Sequence, residues 1–300
     1  MSLERVDVPQ IPRRDPNGHK GTFGTVGVIG GLTGTKVMIG GPAFSALGAL
    51  RSGCGLAVIA APEQILHDVL RVAPEATGVA LAVKSDGELI ASAAAETIDN
   101  HLSAARVLVV GPGFGDGEPQ RQIVMRLVSR DEQPLVLDAD ALNVLARTTE
   151  LQVDFRAPAI LTPHPGEFAR LAGSLGITTT PSNEEERVAA AAELAGRLGA
   201  IVVLKGPGTV VTDGLRAYVN TTGNVALATG GSGDVLSGLC AGFVSQFLGE
   251  RDLFECACLA AWVHGKAADD VVHERHDSRM IARELLDAIP AAIAESVSDQ

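Results

Sequence analysis

The chain of 300 residues is poor in aromatic side chains, with one Trp, one Tyr and eight Phe. Proteins that bind single-stranded nucleic acid usually stack the bases on aromatic rings, so the sequence predicts no such surface. Basic residues are also scarce, because 24 Lys and Arg stand against 36 Asp and Glu, for a net charge of −12. This balance argues against nucleic acid or an anionic membrane as the main partner, and an anionic substrate would need local features to hold it.

Secretion signals, membrane-length apolar segments and paired cysteine motifs are lacking as well. The first residues carry charges where a signal peptide has an apolar stretch, and no apolar run is long enough to span a membrane. We therefore expect a cytoplasmic protein. The four cysteines show neither C-x-x-C spacing nor a nearby His pair, which predicts reduced core residues. They are Cys54, Cys240, Cys256 and Cys258.

Two common nucleotide-binding signatures are missing. No G-x-x-x-x-G-K-[ST] occurs, which argues against a P-loop NTPase. Residues 111–117 read G-x-G-x-G-x-G where an ordinary Rossmann dehydrogenase has G-x-G-x-x-G.

What the chain does contain is 46% apolar residues and 34 glycines, arranged in apolar runs that alternate with helical patterns. The runs predict strands buried on both faces at residues 26–29, 56–60, 107–110, 135–137, 159–161 and 201–204. Helices are predicted at 44–51, 120–128, 141–146, 182–198, 253–272 and 280–289, with Ser182 and Glu185 as a capping box. The alternation indicates an α/β fold, a three-layer α/β/α sandwich with a mostly parallel central sheet.

The domain organisation follows from the same pattern. Asp213-Gly214 separates two short apolar runs, 210–212 and 217–219, and predicts a hairpin that adds an antiparallel edge. Residues 1–20 are rich in Pro, Arg and Asp and predict an extended arm. Residues 21–300 then form one domain, and no second domain's worth of sequence precedes residue 20.

The most informative stretch is the glycine-rich segment that ends at Asp234. Apolar residues from Val235 to Leu248 have the spacing of a buried helical face, so residues 230–234 should form the N-terminus of a helix. Backbone N–H groups there lack intrahelical partners, and glycines let a phosphate approach the main chain closely. Asp234 could instead simply cap a core helix, but the density of glycines favours an anion site with a carboxylate beside it.

Glycines and polar or ionisable residues also follow the other predicted strands. In parallel sheets, ligands bind beyond the carboxyl ends of the strands. These segments are Gly111-Pro-Gly-Phe-Gly115, Asp138-Ala-Asp140, Thr162-Pro-His164-Pro-Gly-Glu167 and Lys205-Gly-Pro-Gly-Thr209. Each has a structural alternative: a tight turn at Gly111, a helix cap at Asp138, a rigid corner at His164 and a solvated strand end at Lys205. Their joint presence at one sheet edge indicates a functional site.

The residue types suit phosphoryl transfer, which needs donors around the moving group, a metal and a carboxylate beside the attacking hydroxyl. The glycines at 230–233 would supply donors, and Asp234 the carboxylate, which we expect to stay ionised at a helix N-terminus. Asp138, Asp140 or Glu167 could orient metal-bound water, and the segment at Lys205 could meet nucleotide phosphates.

These motifs together resemble the ADP-dependent NAD(P)H-hydrate dehydratase family of the ribokinase-like superfamily, from about residue 19 to 290. The resemblance rests on His19-Lys-Gly-Thr-Phe-Gly-Thr-Val-Gly-Val-Ile-Gly-Gly31, Leu50-Arg-Ser-Gly-Cys-Gly-Leu56, Gly111-Pro-Gly-Phe-Gly115, Leu137-Asp-Ala-Asp-Ala-Leu-Asn143, Leu161-Thr-Pro-His-Pro-Gly-Glu-Phe168, Val203-Leu-Lys-Gly-Pro-Gly-Thr209 and residues 228–238. The glycine-rich Asp motif alone is typical of many ribokinase-like kinases, and the combination is more specific. One departure is Met38 followed by Gly40-Gly41, where the family often has Tyr and then Gly-Ala.

The resemblance implies dehydration of the (6S)-hydrate of NADH or NADPH at the expense of ADP, giving NAD(P)H, AMP and phosphate. It also implies Mg²⁺, a homotetramer and Asp234 as the base. By motif, the residues implied to line the hydrate site are Gly41, Gly113, His164 and Asp234. Those implied to contact the adenine nucleotide are Lys205, Gly206, Pro207, Gly208, Thr209 and Gly233. Since the epimerase domain of some relatives does not precede residue 20, we expect this chain to handle one hydrate epimer only.

Two other functions remain open from the residues themselves. One is a ribokinase-like kinase that phosphorylates a vitamin-precursor alcohol, for which the phosphorylated alcohol would be a stable product. The other is a nucleotide-binding sensor without turnover, although a binding module has little need of a base at Asp234.

Overall fold

The computed structural model describes residues 3–149, 151–178 and 183–296, in which ten strands form one sheet. The strands are β1 (Glu4–Arg5), β2 (Thr25–Ile29), β3 (Leu56–Pro62), β4 (Thr77–Leu81), β5 (Val107–Val110), β6 (Leu135–Leu137), β7 (Ala159–Leu161), β8 (Ile201–Leu204), β9 (Val210–Thr212) and β10 (Arg216–Val219). Their order across the sheet is β1-β10-β9-β8-β7-β6-β5-β2-β3-β4. β9 is antiparallel to both of its neighbours, and the other pairs are parallel.

The register of the parallel strands aligns their carboxyl ends. Val110 pairs with Leu137, and Leu137 pairs with Leu161, so the residues that follow these three strands lie side by side. β8 runs parallel to β7 and brings Lys205 to the same edge. β10 also runs parallel to β8, because each of them is antiparallel to β9.

Helices cover both faces of the sheet. They are α1 (Gly40–Ser52), α2 (Glu63–Val72), α3 (Ala91–Leu102), α4 (Glu118–Val128), α5 (Asp140–Ala146), α6 (Leu151–Asp154), α7 (Pro165–Ser174), α8 (Glu184–Leu198), α9 (Ser232–Phe247), α10 (Leu253–Arg275) and α11 (Ala282–Ser296). One core joins α1, α2, α9, α10 and α11 to one face, and a second core joins α3, α4, α5, α7 and α8 to the other. Along β5, Val107 and Val109 belong to the first core, and Leu108 and Val110 to the second. The predicted three-layer α/β/α sandwich with a mostly parallel sheet is confirmed.

Most predicted elements appear within a few residues of their expected bounds, including the hairpin at Asp213-Gly214. The strands β1 and β4 and the helices α2, α3, α6 and α7 were not predicted. The hairpin is not the sheet edge, because the short strand β1 of the arm pairs with β10. The expected capping residue Ser182 lies outside the described residues, and the observed N-cap of α8 is Asn183, whose side chain accepts the amide of Glu186 at 2.9 Å.

Candidate functional site

The N-terminus of α9 carries a set of unpaired backbone donors. Gly231 precedes the helix with φ 92, a left-handed conformation that suits glycine. Among the described residues, the amides of Gly230, Gly231, Gly233 and Asp234 have no hydrogen-bond acceptor. The hydroxyl of Ser232 donates to the carbonyl of Leu227 at 2.7 Å and ties the helix start to the preceding turn. The helix therefore presents N–H groups to an anion, as the sequence predicts.

A second set of donors follows β8. Lys205 N–H donates to the carbonyl of Pro163 at 2.9 Å, and this bond fixes the start of the loop at residues 205–209. Gly206 and Gly208 have φ values of 138 and 59. Within the described part of the chain, neither of their amides has an acceptor. A phosphate could occupy both sets of donors at once, provided that they face the same space.

Apart from Gly230, the residues of both sets line one cleft of about 770 Å³. The lining residues are Asp138, Ala139, His164, Pro165, Lys205, Gly206, Pro207, Gly208, Thr209, Asn220, Thr222, Gly223, Asn224, Val225, Leu227, Ala228, Gly231, Ser232, Gly233, Asp234, Leu236, Ala261 and His264. All of the residues predicted to contact the nucleotide are among them, as are His164 and Asp234. The fold thus brings together most of the residues predicted from sequence to form the site.

The carboxyl group of Asp234 does not behave as the sequence predicts. Burial, followed by repulsion from Asp138, raises the pKa of Asp234 to about 7 even though Lys205 acts in the opposite direction. Asp140 and Glu167 raise it further. The expectation that the helix N-terminus keeps this group fully ionised is therefore wrong, because burial and the neighbouring carboxylates favour the protonated form. A base with a pKa near neutrality is well matched to proton transfer.

Lys205 lies among these carboxylates. Its Nζ donates to Oδ1 of Asp138 at 2.9 Å and lies 4.0 Å from Oε2 of Glu167. Burial opposes the charge of the ammonium, but Asp138 and Glu167 outweigh burial, and the pKa of Lys205 is above its usual value. Asp138 therefore holds a buried ion pair and does not cap α5 through its side chain.

His164 caps the helix α7. Its Nδ1 accepts the amides of Gly166 and Glu167 at 3.0 and 3.3 Å, and the Glu167 carboxylate accepts the amide of His164 at 2.8 Å. Burial, Lys205 and Arg170 lower the pKa of His164, so the ring is neutral and Nε2 carries the proton. This capping box supports the suggested role of His164 as a rigid corner. His164 also lines the cleft.

Two residues of the cleft, Asn220 and His264, were not predicted from the sequence. Asn220 follows β10 at the same sheet edge as Lys205, and the strand-end argument would have found it had it been applied to that strand. His264 lies within α10, where nothing in the sequence marks it. Its Nε2 donates to the carbonyl of Ser232 at 2.8 Å, and burial lowers the pKa of His264 to about 4.

Gly41 and Gly113 lie together but do not line this cleft. A Cβ on Gly41 would be 2.8 Å from the carbonyl carbon of Pro112 and 3.1 Å from the amide nitrogen of Gly113. They lie beyond the carboxyl ends of β2 and β5, the neighbouring strands at which the strand order reverses. Ligands of open α/β sheets commonly bind at such a point. Gly41 is one helical turn before Ser45, whose hydroxyl donates to the carbonyl of Asp234 at 3.0 Å. The absence of a side chain at Gly41 thus has a packing reason, and its contact with the hydrate stays a prediction.

A sequence model of the NAD(P)H-hydrate dehydratase family matches residues 26–291. The chain belongs to this family. It is 36% identical to the ADP-dependent (S)-NAD(P)H-hydrate dehydratase of Bacillus subtilis, over 93% of this chain and 92% of that protein. It is also 38% identical to the bifunctional NAD(P)H-hydrate repair enzyme of Moorella thermoacetica, over 94% of this chain and 51% of that enzyme. The chain spans about half the length of the bifunctional relatives that it matches.

Solved structures agree with the family. The crystal structure of the B. subtilis ADP/ATP-dependent NAD(P)H-hydrate dehydratase, co-crystallised with ATP and Mg²⁺, matches with a TM-score of 0.75 and 32% identity, covering 95% of this chain and 94% of that chain. A ribokinase-like protein of Enterococcus faecalis matches with a TM-score of 0.78 and 25% identity, covering 97% and 93%. The three-layer sandwich of this chain is therefore ribokinase-like.

The described residues contain neither a ready-made metal-binding cluster nor a helix that could span a membrane. No group of three or more His, Cys, Asp or Glu side chains there could hold a metal ion by itself. Asp138 and Glu167 nevertheless provide carboxylate oxygens around Lys205. Oxygen ligands of this kind fit a Mg²⁺ ion that completes its coordination with phosphate oxygens and water. None of the helices at residues 3–149, 151–178 and 183–296 is both long and apolar enough to span a bilayer.

Proposed function

We propose that the protein dehydrates the (6S)-hydrate of NADH or NADPH at the expense of ADP and so restores the nicotinamide cofactor. The observation that carries this proposal is that two sets of unpaired backbone amides and the carboxyl group of Asp234 line one cleft. The amides suit a phosphoryl donor, and the carboxylate suits a hydroxyl acceptor. Membership of the NAD(P)H-hydrate dehydratase family supports this substrate over the vitamin-precursor alcohol of the kinase alternative.

In the proposed reaction, the C6 hydroxyl of the hydrated ring attacks the β-phosphorus of ADP. The bond from that phosphorus to the α–β bridging oxygen breaks, AMP leaves, and the carboxylate of Asp234 accepts the hydroxyl proton. The lone pair of the ring nitrogen then expels phosphate from C6, and loss of a proton from C5 restores the double bond. The amides of Gly206, Gly208 and Gly233 would hold phosphate oxygens, and the charge of Lys205 would stabilise the transferring group.

Mg²⁺ is the proposed cofactor. It would be held by ADP phosphates together with Asp138 or Glu167, and it would neutralise phosphate charge when bound. These carboxylates also surround Lys205, so the cleft without a ligand carries more negative than positive side chains. A divalent cation that arrives with ADP would neutralise most of the negative charge that the diphosphate adds to this cleft.

The adenine ring of the nucleotide and the hydrate have separate proposed positions. Apolar side chains of Val225, Leu227 and Leu236, with Ala261, form the part of the cleft that would take the adenine ring. The region at Gly41 and Gly113 would take the hydrate, at the helix α1, which contacts the Asp234 backbone through Ser45.

The assembly and location stay proposals as well. We propose a homotetramer, and light scattering on the eluted protein tests it. The buried free cysteines support a reducing compartment such as the cytoplasm.

The experiment that tests the function is a recovery assay. Purified protein is incubated with NADH hydrate or NADPH hydrate, Mg²⁺ and either ADP or ATP, and the dihydronicotinamide absorbance is followed. We expect absorbance to return together with stoichiometric AMP and phosphate when ADP is supplied. A stable phosphorylated product would support the kinase alternative, and no recovery with either nucleotide would overturn the proposal.

The substitution Asp234→Asn tests the assigned base. Because asparagine cannot accept the proton, we expect kcat to fall about 100-fold or more. The affinity for ADP, measured by calorimetry, should change little. Turnover near that of the unmodified protein would remove Asp234 from this role.

A further inference from the structure

Arg187 contacts the loop at residues 205–209 but is not among the residues that line the cleft. It occupies the first turn of α8 and is half-buried. Its guanidinium donates to the carbonyl of Pro207 at 2.7 Å, of Leu204 at 3.3 Å and of Lys205 at 3.4 Å. One side chain therefore contacts three carbonyls of the segment that enters and forms the loop.

The charge of Arg187 is not neutralised by an ion pair. In the described part of the chain, no carboxylate lies within 4 Å of it, whereas Arg121 and Arg197 each pair with an acidic side chain. Burial lowers the pKa of Arg187, and Glu184 counteracts this only through a longer-range interaction. A half-buried guanidinium with carbonyl partners alone leaves its positive charge to act on the neighbouring loop.

The three contacts determine the direction of the loop amides. In a trans peptide the C=O and the N–H point in opposite directions, so a carbonyl held on one side sends the amide of the next residue to the other side. The carbonyl of Lys205 shares its peptide with the amide of Gly206, and that of Pro207 with the amide of Gly208. Neither of these two amides has an acceptor within residues 183–296 or the other described ranges, and the amide of Thr209 lacks one as well.

Gly206 is adapted to this contact. A Cβ at this position would lie 3.1 Å from Nη2 and 3.2 Å from Nη1 of Arg187, and its φ of 138 disfavours any side chain. The loop thus lacks a side chain where the guanidinium approaches. The contact with Arg187, as well as the position on the cleft, therefore favours glycine at residue 206.

We propose that Arg187 is the positioning residue of the phosphate-binding loop: it turns the amides of Gly206 and Gly208 into the cleft and adds positive charge behind them. The ligand of the loop would be the diphosphate of an adenine nucleotide. Arg187 would not contact this ligand and would act on its binding only through the loop. The inference rests on the proposed role of residues 205–209 in nucleotide binding.

The experiment measures equilibrium binding of Mg·ADP and of adenosine to the unmodified protein, Arg187→Met and Arg187→Lys. Methionine keeps the apolar stem but removes the donors and the charge, and lysine keeps the charge but cannot reach three carbonyls. Arg197→Met is the matched control, since Arg197 lies in the last turn of the same helix and also donates to a backbone carbonyl, that of Leu175.

We expect Arg187→Met to raise the Kd of ADP about 10- to 100-fold, the range for losing charge-assisted hydrogen bonds, with adenosine affinity within about twofold. Arg187→Lys should recover part of the loss, and Arg197→Met should bind ADP normally. In turnover, Arg187→Met should raise the KM of ADP much more than it lowers kcat.

Unchanged ADP affinity in Arg187→Met, or an equal loss of ADP and adenosine in both Arg187 variants, would overturn the inference. Thermal melting without ligand shows which variants are folded, and a folded Arg187→Lys alone suffices for the comparison. If Arg187→Met weakens ADP binding but the unmodified protein does not dehydrate the hydrate, the inference stands and the proposed function fails.

Discussion

At the scale of single residues, Asp234 is the group whose chemistry depends most on its surroundings. Its charge faces Lys205 and the carboxylates of Asp138, Asp140 and Glu167. Only the first of these favours ionisation. The folded protein therefore retains the Asp234 proton to higher pH than the unfolded chain does, which links proton binding to stability.

The first prediction concerns this linkage in the protein without ligand. Below about pH 4 the group is protonated in both states and has no effect. As the pH rises, the unfolded chain ionises first and the folded state is penalised increasingly, up to a pKa of about 7. The penalty reaches at most about 4 kcal/mol. Asp234→Asn removes it, so the variant should be more stable in urea at pH 8, and its advantage should shrink at pH 5. An advantage that is the same at both pH values would contradict the raised pKa.

His164 combines a helix cap with a position on the cleft wall, and a pair of variants separates the two. Asparagine can also cap a helix, whereas alanine cannot, so His164→Ala should lose about 1 kcal/mol of stability and His164→Asn much less. If the imidazole contacts the hydrate, both variants should raise the KM of the hydrate equally. A raised KM in His164→Ala alone would show that the ring acts only through the cap.

At the scale of elements, the contact between α1 and α9 positions Asp234. Ser45 is fully buried between these helices, and its hydroxyl bonds to the carbonyl of Asp234 and to Ser237. Gly238 allows the close approach, because a Cβ there would lie 2.1 Å from the carbonyl oxygen of Ser45. The helix that holds the base is thus set by backbone contact with its neighbour.

Gly238→Ala should therefore force the two helices apart. We expect a loss of about 1–3 kcal/mol in stability and a fall in kcat, since the Asp234 carboxylate moves with the helix. Gly196→Ala is the control, because Gly196 is exposed within α8 and has nothing near its would-be Cβ. The control should be more stable by about 0.5–1 kcal/mol with normal turnover. Equal stability of the two variants in urea would contradict this account.

The elements that could be predicted from sequence are those with strong local signals. The strands β5 to β8 are buried on both faces, so each reads as an unbroken apolar run. β4 was missed because it lies at the sheet edge and exposes most of its residues, which leaves no such run. α7 was recognised as a motif and not as a helix, since its cap is a histidine between prolines.

At the scale of the whole molecule, the reduced cysteines follow from the large core. Cys54, Cys240, Cys256 and Cys258 are free and buried, as predicted. Burial raises the pKa of the Cys54 and Cys256 thiols to about 12, and it also raises the pKa of the Cys240 and Cys258 thiols. Thiolate is therefore scarce at neutral pH, and access to it is poor.

We expect thiol titration of the native protein to be slow for all of these cysteines, and fast once urea has unfolded the chain. The melting temperature should not change with reducing agent, because no disulfide contributes to the fold. A thiol that reacts quickly in the native protein, or a melting temperature that falls on reduction, would contradict the burial.

The sequence by itself determined the layered α/β architecture, the glycine-rich helix start and the set of strand-end residues, because each of these depends on local periodicity or on the chemistry of a short segment. Tertiary structure alone decided the ionisation of Asp234, the ion pair of Lys205 with Asp138, the place of His264 and the contacts of Arg187 behind the nucleotide loop. These depend on burial and on groups far apart in the chain, and their effects on charge and on amide direction arise only when the sheet edge is assembled.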